Sequence, residues 1–409
     1  MPRGWRSRES CPIAAGGAGG ATRGVSDDGQ EGKLDRGGGR RVPDRGGGIG
    51  AGRPGSAAAG RRGHREGRAV PAHVAEREGS GYAFAIAENG LLSQAGASGK
   101  ARVDKGTAFT PHTRIEIASA TKNVVAAALL KLTEAAGLTP ETPIWPYLPP
   151  DMRSTALDSW QQVRIRDILA HTSGLGQYIA SQPKTEQDKM NALYGGIKYA
   201  MSKAPVGAGL APDYENLNYA VARVVISRLW RLTEPGLNLP DWIQPGSQPL
   251  SLAYINSHLF APAGIAPVDC VAANPDTDAH GYLTSTSKVG SLLEMSGASY
   301  EACASYRGLR MSAMDMVRWQ AHLRHGTVVS ANVRLQMDTI VDGTPGMGWS
   351  FMQSGTRAHG GDYNNGSGRV VTCHGKFPNN VEASVVVNSG IDGEPHLCTL
   401  LANAIKSGS

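Results

Sequence analysis

Thr113-Arg-Ile-Glu-Ile-Ala-Ser-Ala-Thr-Lys122, running on into an Ala/Leu/Val-rich stretch that reaches Ala136, is the segment whose reading decides the fold. Its first part alternates apolar and polar residues as a short strand does, and its second part is apolar nearly all round, as a buried helix is. Ser119 and Lys122 stand at the junction. Residues three apart are neighbours on a helix, so the two side chains share a face and a proton can pass between them. A serine in the first turn also feels the positive end of the helix dipole, which favours a developing alkoxide. Burial lowers the proton affinity of a lysine in such a site, so that it can act as a base near neutral pH.

The S-x-x-K spacing alone does not select Ser119, because Ser181-Gln-Pro-Lys184 and Ser285-Thr-Ser-Lys288 repeat it. The first of these carries Pro183 in a polar, loop-like setting. The second lies in a Ser/Thr-rich stretch with only a short apolar segment after it. Ser119 is the one that joins an apolar strand to a long buried helix.

Two later stretches complete a constellation. Tyr214-Glu-Asn216 leads directly into Asn218-Tyr-Ala-Val-Ala-Arg-Val-Val-Ile, and a loop before a helix can present both side chains to a cleft. The Tyr214 phenol is placed to relay a proton between serine and leaving group. The Asn216 amide is placed to hydrogen-bond the lysine and a substrate carbonyl. Tyr363-Asn-Asn365 and Ser330-Ala-Asn332 are competing matches, and any one of them alone reads as an ordinary loop. His359-Gly360-Gly361 belongs to a predicted strand beginning near Thr356, where glycines let a substrate approach the backbone. The N–H of Asp362, paired with that of Ser119, is the expected oxyanion donor set, each donor typically contributing ~3 kcal/mol. A lone His-Gly-Gly is otherwise a common turn.

Around these stretches the chain is ordered as strands, helices, strands. Tyr82-Ala-Phe-Ala-Ile-Ala, a Glu-Asn-Gly turn and Leu-Leu-Ser-Gln-Ala read as a β-hairpin. Helical patterns follow at 164–170, 219–230, 249–259 and 311–324, within a Pro/Gly-rich block spanning about 144–338. Strand patterns return at 347–352, 368–373 and 381–388, and an apolar helical segment at 397–405 closes the chain. This order implies an α+β fold: an antiparallel sheet built from both ends of the catalytic region, flanked by helices, with a mostly helical insert. The site is expected in the cleft between sheet and insert.

The charge is unevenly spread. Residues 1–70 hold 14 Lys and Arg against 7 Asp and Glu, so the basic balance of the 409-residue chain sits in a Gly/Arg-rich tail. With almost no apolar periodicity, residues 1–78 are expected to be disordered, leaving 79–409 as the hydrolase domain. Trp5 is the only Phe, Trp or Tyr side chain among the arginines of this tail, so no nucleic-acid partner is expected. Arg3, Arg6 and Arg8 precede a weak, glycine-rich apolar stretch that is not a convincing signal peptide. No apolar run approaches the ~18 residues that cross a membrane. A soluble protein is expected, its compartment left open by the sequence, with the cytoplasm slightly favoured and a periplasmic or secreted location as the alternative if the N-terminus is misassigned. Cys11, Cys270, Cys303, Cys373 and Cys398 show no C-x-x-C spacing, and one or two bridges are compatible with an oxidising compartment. There is no G-x-S-x-G elbow, no H-E-x-x-H and no clustered Cys/His pattern, so neither an α/β-hydrolase nor a metal enzyme is indicated, and no cofactor is implied.

Ser119-Ala-Thr-Lys122, Tyr214-Glu-Asn216 and His359-Gly360-Gly361, in this order, resemble the β-lactamase-related serine hydrolases, which include class C β-lactamases, D-alanyl-D-alanine carboxypeptidases, D-aminopeptidases and esterases. Ile168-Leu-Ala-His-Thr-Ser-Gly-Leu175, Leu309-Arg-Met-Ser-Ala-Met-Asp-Met-Val-Arg318 and Met347-Gly-Trp-Ser350 carry the same likeness. The resemblance covers roughly 80–405 and implies a penicillin-binding-protein or β-lactamase type of fold. It implies a Ser119 acyl-enzyme, general base and acid duty shared by Lys122 and Tyr214, and a substrate-facing strand at His359. His171 and Gly174 look like the family's structural turn and receive no chemistry. Where the antibiotic-degrading members usually carry Lys-Thr-Gly or Lys-Ser-Gly, this chain has His359 and Gly360. A histidine near its ordinary pKa of ~6.5 is largely neutral at pH 7, and glycine has no hydroxyl, so two contributions to carboxylate binding weaken together. The expected partners are therefore small ester or amide substrates, with D-peptidase or β-lactamase activity, or a non-catalytic binding role, as alternatives.

Overall fold

The computed structural model describes residues 81–237, 249–391 and 396–408. The expected disordered tail at 1–78, Cys11 and most of the loop at 235–250 lie outside the described residues.

Six strands form one antiparallel sheet: β1 (Tyr82–Glu88), β2 (Leu91–Ser98), β3 (Phe351–Gln353), β4 (Thr356–Asn364), β5 (Arg369–Phe377) and β6 (Val381–Val387), in the spatial order β2-β1-β6-β5-β4-β3. The first and last strands meet where β1 pairs with β6, Tyr82 opposite Val387. Four helices matter for the site: α1 (Thr121–Ala135), α2 (Asn216–Thr233), α3 (Ala313–His325) and α4 (Leu397–Gly408).

Alternation along the strands gives the sheet two buried faces, because side chains two apart share a side. Ala83, Ala85, Ala87, Val370 and Val386 belong to a core shared with α1, α2 and α3. Tyr82, Phe84, Val371, Cys373, Val385 and Val387 face the other way, onto Leu397, Cys398 and Leu401 of α4. A disulfide between Cys373 and Cys398 ties β5 to that helix, and a second joins Cys270 to Cys303. α1 is buried along nearly its whole length, as its all-round apolar composition requires. Asn123 anchors it: its Oδ1 accepts from Trp319 Nε1 and Gln320 Nε2, both at 2.9 Å, and its Nδ2 donates to the Gly348 carbonyl.

Two expectations need adjustment. The strand before Ser119 is only Ile115–Glu116, and it pairs with Arg310–Met311 instead of joining the six-stranded sheet. Its length is limited by Ala118, whose φ of +49° turns the chain out of extended geometry. The central block is helical in its first half and near its end. Between 261 and 312 it is mostly irregular, with short β pairs and one 3-10 segment, Gly297–Ala302.

Candidate active site

Ser119 lies in a 3-10 turn, Ala118–Ala120, that runs straight into α1. The sheet grips this turn from below. Thr372 Oγ1 on β5 donates to the Ile117 carbonyl at 2.8 Å, and His374 Nε2, two residues on and on the same face, donates to the Ala120 carbonyl at 3.1 Å. Burial lowers His374 to about 4, so this ring is neutral and keeps one nitrogen for each role. Ala118 takes up a left-handed backbone, uncommon for a residue with a Cβ. Such strain persists only where surrounding contacts over-determine it.

Lys122 is fully buried one turn away. Its Nζ donates to Ser119 Oγ at 2.9 Å and to the Tyr306 carbonyl, also at 2.9 Å. Three phenol rings surround the ammonium, with centroids at 4.8 Å (Tyr214), 5.6 Å (Tyr306) and 5.8 Å (Tyr219). Tyr214 is brought there by the start of α2. Glu215 is the N-cap and its carboxylate accepts from Leu217 N–H at 3.0 Å, which leaves Tyr214 outside the helix and Asn216 as its first residue. The expected bond from Lys122 to Asn216 is not formed. Asn216 Oδ1 is buried and accepts no hydrogen bond, and the Tyr306 carbonyl holds the ammonium instead.

His171 is closer to Tyr214 and Lys122 than its sequence suggests. Its ring packs on Tyr214 (centroids 4.5 Å apart) and Tyr219 (5.3 Å), and its Nδ1 accepts from the Glu215 N–H at 3.1 Å. Burial first and the nearby Lys122 charge second push it down to about 3, so it stays neutral. The carbonyls of His171, Thr172 and Ser173 accept from the amides of Asp213, Leu210 and Gly207, so this turn clamps the loop that carries Tyr214.

The third stretch lies on β4, where the pleat divides it. His359 and Gly361 face the Ser119 turn, opposite His374 and Thr372 of β5. His359 is buried and its Nδ1 donates to the Gly360 carbonyl at 2.7 Å. Burial, then Lys122, holds it well below its ordinary value, so no cation stands there. A Cβ on Gly361 would fall on the Ile117 carbonyl and come within 2.9 Å of Ala118 Cβ, so only glycine lets β4 lie against the nucleophile turn. Gly360, assigned to substrate from sequence, points to the opposite face. A Cβ there would meet His396 and, at 3.4 Å, Cys398 Sγ. Its N–H donates to Ser350 Oγ on the outer side of β4. Amides two apart in a strand point the same way, so the Asp362 N–H faces that outer edge, past the end of β3. The Asp362 carboxylate is engaged with Arg369 Nε at 2.8 Å.

The rival motifs serve elsewhere. Ser181 is exposed at the end of a half-buried helix and donates to the Tyr178 carbonyl; Ser285 and Lys288 lie in a surface turn; Ser330 caps a helix by accepting from Val333 N–H. Tyr363 packs its ring under Arg307, 3.9 Å from the guanidinium carbon. Among the described residues no group of three His, Cys, Asp or Glu side chains could hold a metal, and no helix is long and apolar enough to cross a membrane.

A helix-covered antiparallel sheet with a serine–lysine pair at the head of a buried helix defines the penicillin-binding-protein and β-lactamase fold class. The structure aligns with that of a D-amino acid amidase from Ochrobactrum anthropi SV3 at TM-score 0.61 and 21% identity, covering 83% of this chain and 96% of that one. It aligns with FmtA from Staphylococcus aureus at TM-score 0.60 and 18% identity, covering 83% and 88%. The chain belongs to the Beta-lactamase family, whose model matches residues 67–377. Among curated proteins it is 25% identical over 262 residues to PbpX of Bacillus subtilis (strain 168), named as a penicillin-binding protein, covering 61% of this chain and 56% of that protein. It is 30% identical over 120 residues to esterase EstB of Burkholderia gladioli, covering 29% of this chain and 31% of EstB. The matches thus span about half and about a third of these relatives' lengths.

Proposed function

We propose that the protein is a serine hydrolase that forms an acyl-enzyme on Ser119, acting on small esters or amides that need no carboxylate. The observation that carries this reading is the 2.9 Å bond between the buried Lys122 Nζ and Ser119 Oγ. In the acylation step the Ser119 proton passes to Lys122 in its neutral amine form, or to a Tyr214 phenolate stabilised by the Lys122 ammonium, as Oγ attacks the substrate carbonyl carbon. The carbonyl oxygen becomes an oxyanion held by the N–H groups of Ser119 and Asp362. The leaving alcohol or amine departs with the proton, and water repeats the sequence to free the acid and restore Ser119.

The absence of charge on His359 supports the substrate class, since a carboxylate presented to a neutral, buried imidazole gains no ion pair. Wild type and Ser119→Ala are compared on nitrophenyl acetate and butyrate, D-amino-acid amides and a chromogenic cephalosporin. Ester or amide turnover lost in Ser119→Ala is expected, and undiminished turnover by that variant overturns the reading. A persistent fluorescent-penicillin adduct on Ser119, without ester turnover, would move the substrate to D-peptides or β-lactams.

A further inference from the structure

We propose that Arg307 is a positioning residue for the Ser119–Lys122 pair, because its ion pair with Glu116 and its stack on Tyr363 fix the Tyr306 carbonyl that holds the lysine. The inference rests on the acyl-enzyme reading above.

A lysine ammonium sits on a flexible four-carbon stem and takes its direction from its acceptors. Two of the acceptors of Lys122 Nζ are the Ser119 oxygen and the Tyr306 carbonyl, each at 2.9 Å. The Tyr306 carbonyl therefore helps to set where Nζ stands relative to Ser119 Oγ. Tyr306 lies in neither helix nor strand, between Ala304 at φ +53° and Gly308 at φ +110°. A turn of this kind has no ladder of backbone bonds to hold it, and side chains must do so.

Arg307 is the next residue and is 5% exposed. Its Nη1 donates to both Glu116 carboxylate oxygens, at 2.9 and 2.8 Å. Glu116 is fully buried, three residues before Ser119, and its strand is paired to the far side of the same turn through Arg310. Burial pushes the Glu116 carboxyl up, the facing Arg307 guanidinium opposes this, and both carboxyl oxygens stand within hydrogen-bond distance of Nη1. The guanidinium carbon also lies 3.9 Å from the centre of the Tyr363 ring, on the strand that carries His359, Gly361 and Asp362. One side chain thus touches the segment leading to the nucleophile, the turn holding the lysine and the strand expected to bind the oxyanion. A flat guanidinium suits all three contacts, and a lysine in its place would reach the carboxylate without covering the ring.

Removing one partner of a buried pair strands a charge, so stability alone would lower activity in Arg307→Met. The deciding variant is Glu116→Gln/Arg307→Met, which removes both charges together. The readout is the rate of Ser119 phosphonylation by a fluorophosphonate probe, followed by intact mass as a function of probe concentration, alongside a thermal melt. The double variant is expected to melt cooperatively, with its maximal labelling rate down about 100-fold, the scale of a 1 Å misplacement of reacting groups. The concentration giving half-maximal rate should hardly move. Arg307→Lys should fall between the two. A folded double variant labelled at the wild-type maximal rate overturns the proposal; should that variant not fold, a folded Arg307→Lys at the wild-type rate overturns it equally. Ser119→Ala separates the two claims. Labelling that persists there sinks the acyl-enzyme reading, whereas silence there with a fast double variant sinks only the role of Arg307.

Discussion

Replacing Gly361 by alanine adds one methyl group where β4 lies against the nucleophile turn. The new Cβ would sit on the Ile117 carbonyl, 2.7 Å from Thr372 Oγ1 and 2.9 Å from Ala118 Cβ. Carbon atoms in ordinary contact stand about 3.5 Å apart, so strand and turn must separate by at least about 0.6 Å, and by more to clear the carbonyl. Two of these three neighbours are part of the turn itself, and the third is the side chain that pins it, so no flexible group can yield. Overpacking of this kind typically costs about 1–3 kcal/mol of stability. The same displacement moves the Asp362 N–H away from Ser119, and misplacement on the ångström scale costs about 100-fold in rate. Gly360→Ala is the internal control: its Cβ meets the His396 ring, which is exposed and can swing aside. The pair is compared by fluorophosphonate labelling of Ser119 and by urea melts. Slow labelling for Gly361→Ala with near-normal labelling for Gly360→Ala is expected. Equal rates in both variants would refute the argument that β4 must touch the nucleophile turn.

Other consequences are as direct. His171→Ala removes the ring under Tyr214 and the acceptor for Glu215 N–H, so the maximal labelling rate should fall, by about tenfold or more, while His171→Phe, which restores the ring without the acceptor, recovers part of it; equal rates in all three would remove His171 from the site. Each disulfide closes a loop of 25 or 33 residues, for which chain entropy gives about 3–4 kcal/mol. Reductant should therefore lower the melting temperature, and Cys303→Ser should slow Ser119 labelling more than Cys398→Ser, because the Cys270 sulfur packs against Gly308 beside Tyr306 and Arg307. Burial depresses His171 to about 3 and His374 to about 4. The unfolded chain thus takes up these protons first, so the stability associated with the neutral rings is complete above about 6.5 and is lost as pH falls towards 4. Urea midpoints at pH 7.5 and 5 measure this, and a midpoint independent of pH over that range would refute it.

Local pattern made much of this legible. The apolar run after Ser119 can only be buried, and α1 is buried; the alternation of Tyr82–Glu88 and Val381–Val387 gives two-faced strands that pair within the sheet. Contacts between segments far apart in sequence were not legible. Nothing in Ser305-Tyr-Arg-Gly308 indicates that a main-chain carbonyl there accepts from Lys122, because every residue carries such a group and only tertiary structure selects one. His171 reads as a helix-end residue until its ring is seen against Tyr214. Gly360 and Gly361 look equivalent as letters, and the pleat gives them opposite faces.

The third stretch shows what this distinction means for specificity. A lysine at 359 would stand on the Ser119 face of β4, within the influence of Lys122, and two ammonium groups buried together repel unless an anion separates them. A substrate carboxylate can be that anion, which makes a cation there useful only to an enzyme whose substrate carries one. With His359 held neutral by burial and by Lys122, and bonded to the Gly360 carbonyl, no second cation stands near Lys122 for an anion to separate. His359→Lys then becomes a test of substrate class. It should weaken turnover of neutral esters, because the added charge has no partner in the free protein. It should also improve relative activity towards substrates bearing a carboxylate near the scissile bond. Measured kcat/KM for matched neutral and carboxylate-bearing esters decides the matter, and a ratio unchanged by His359→Lys would show that this position does not face the bound substrate.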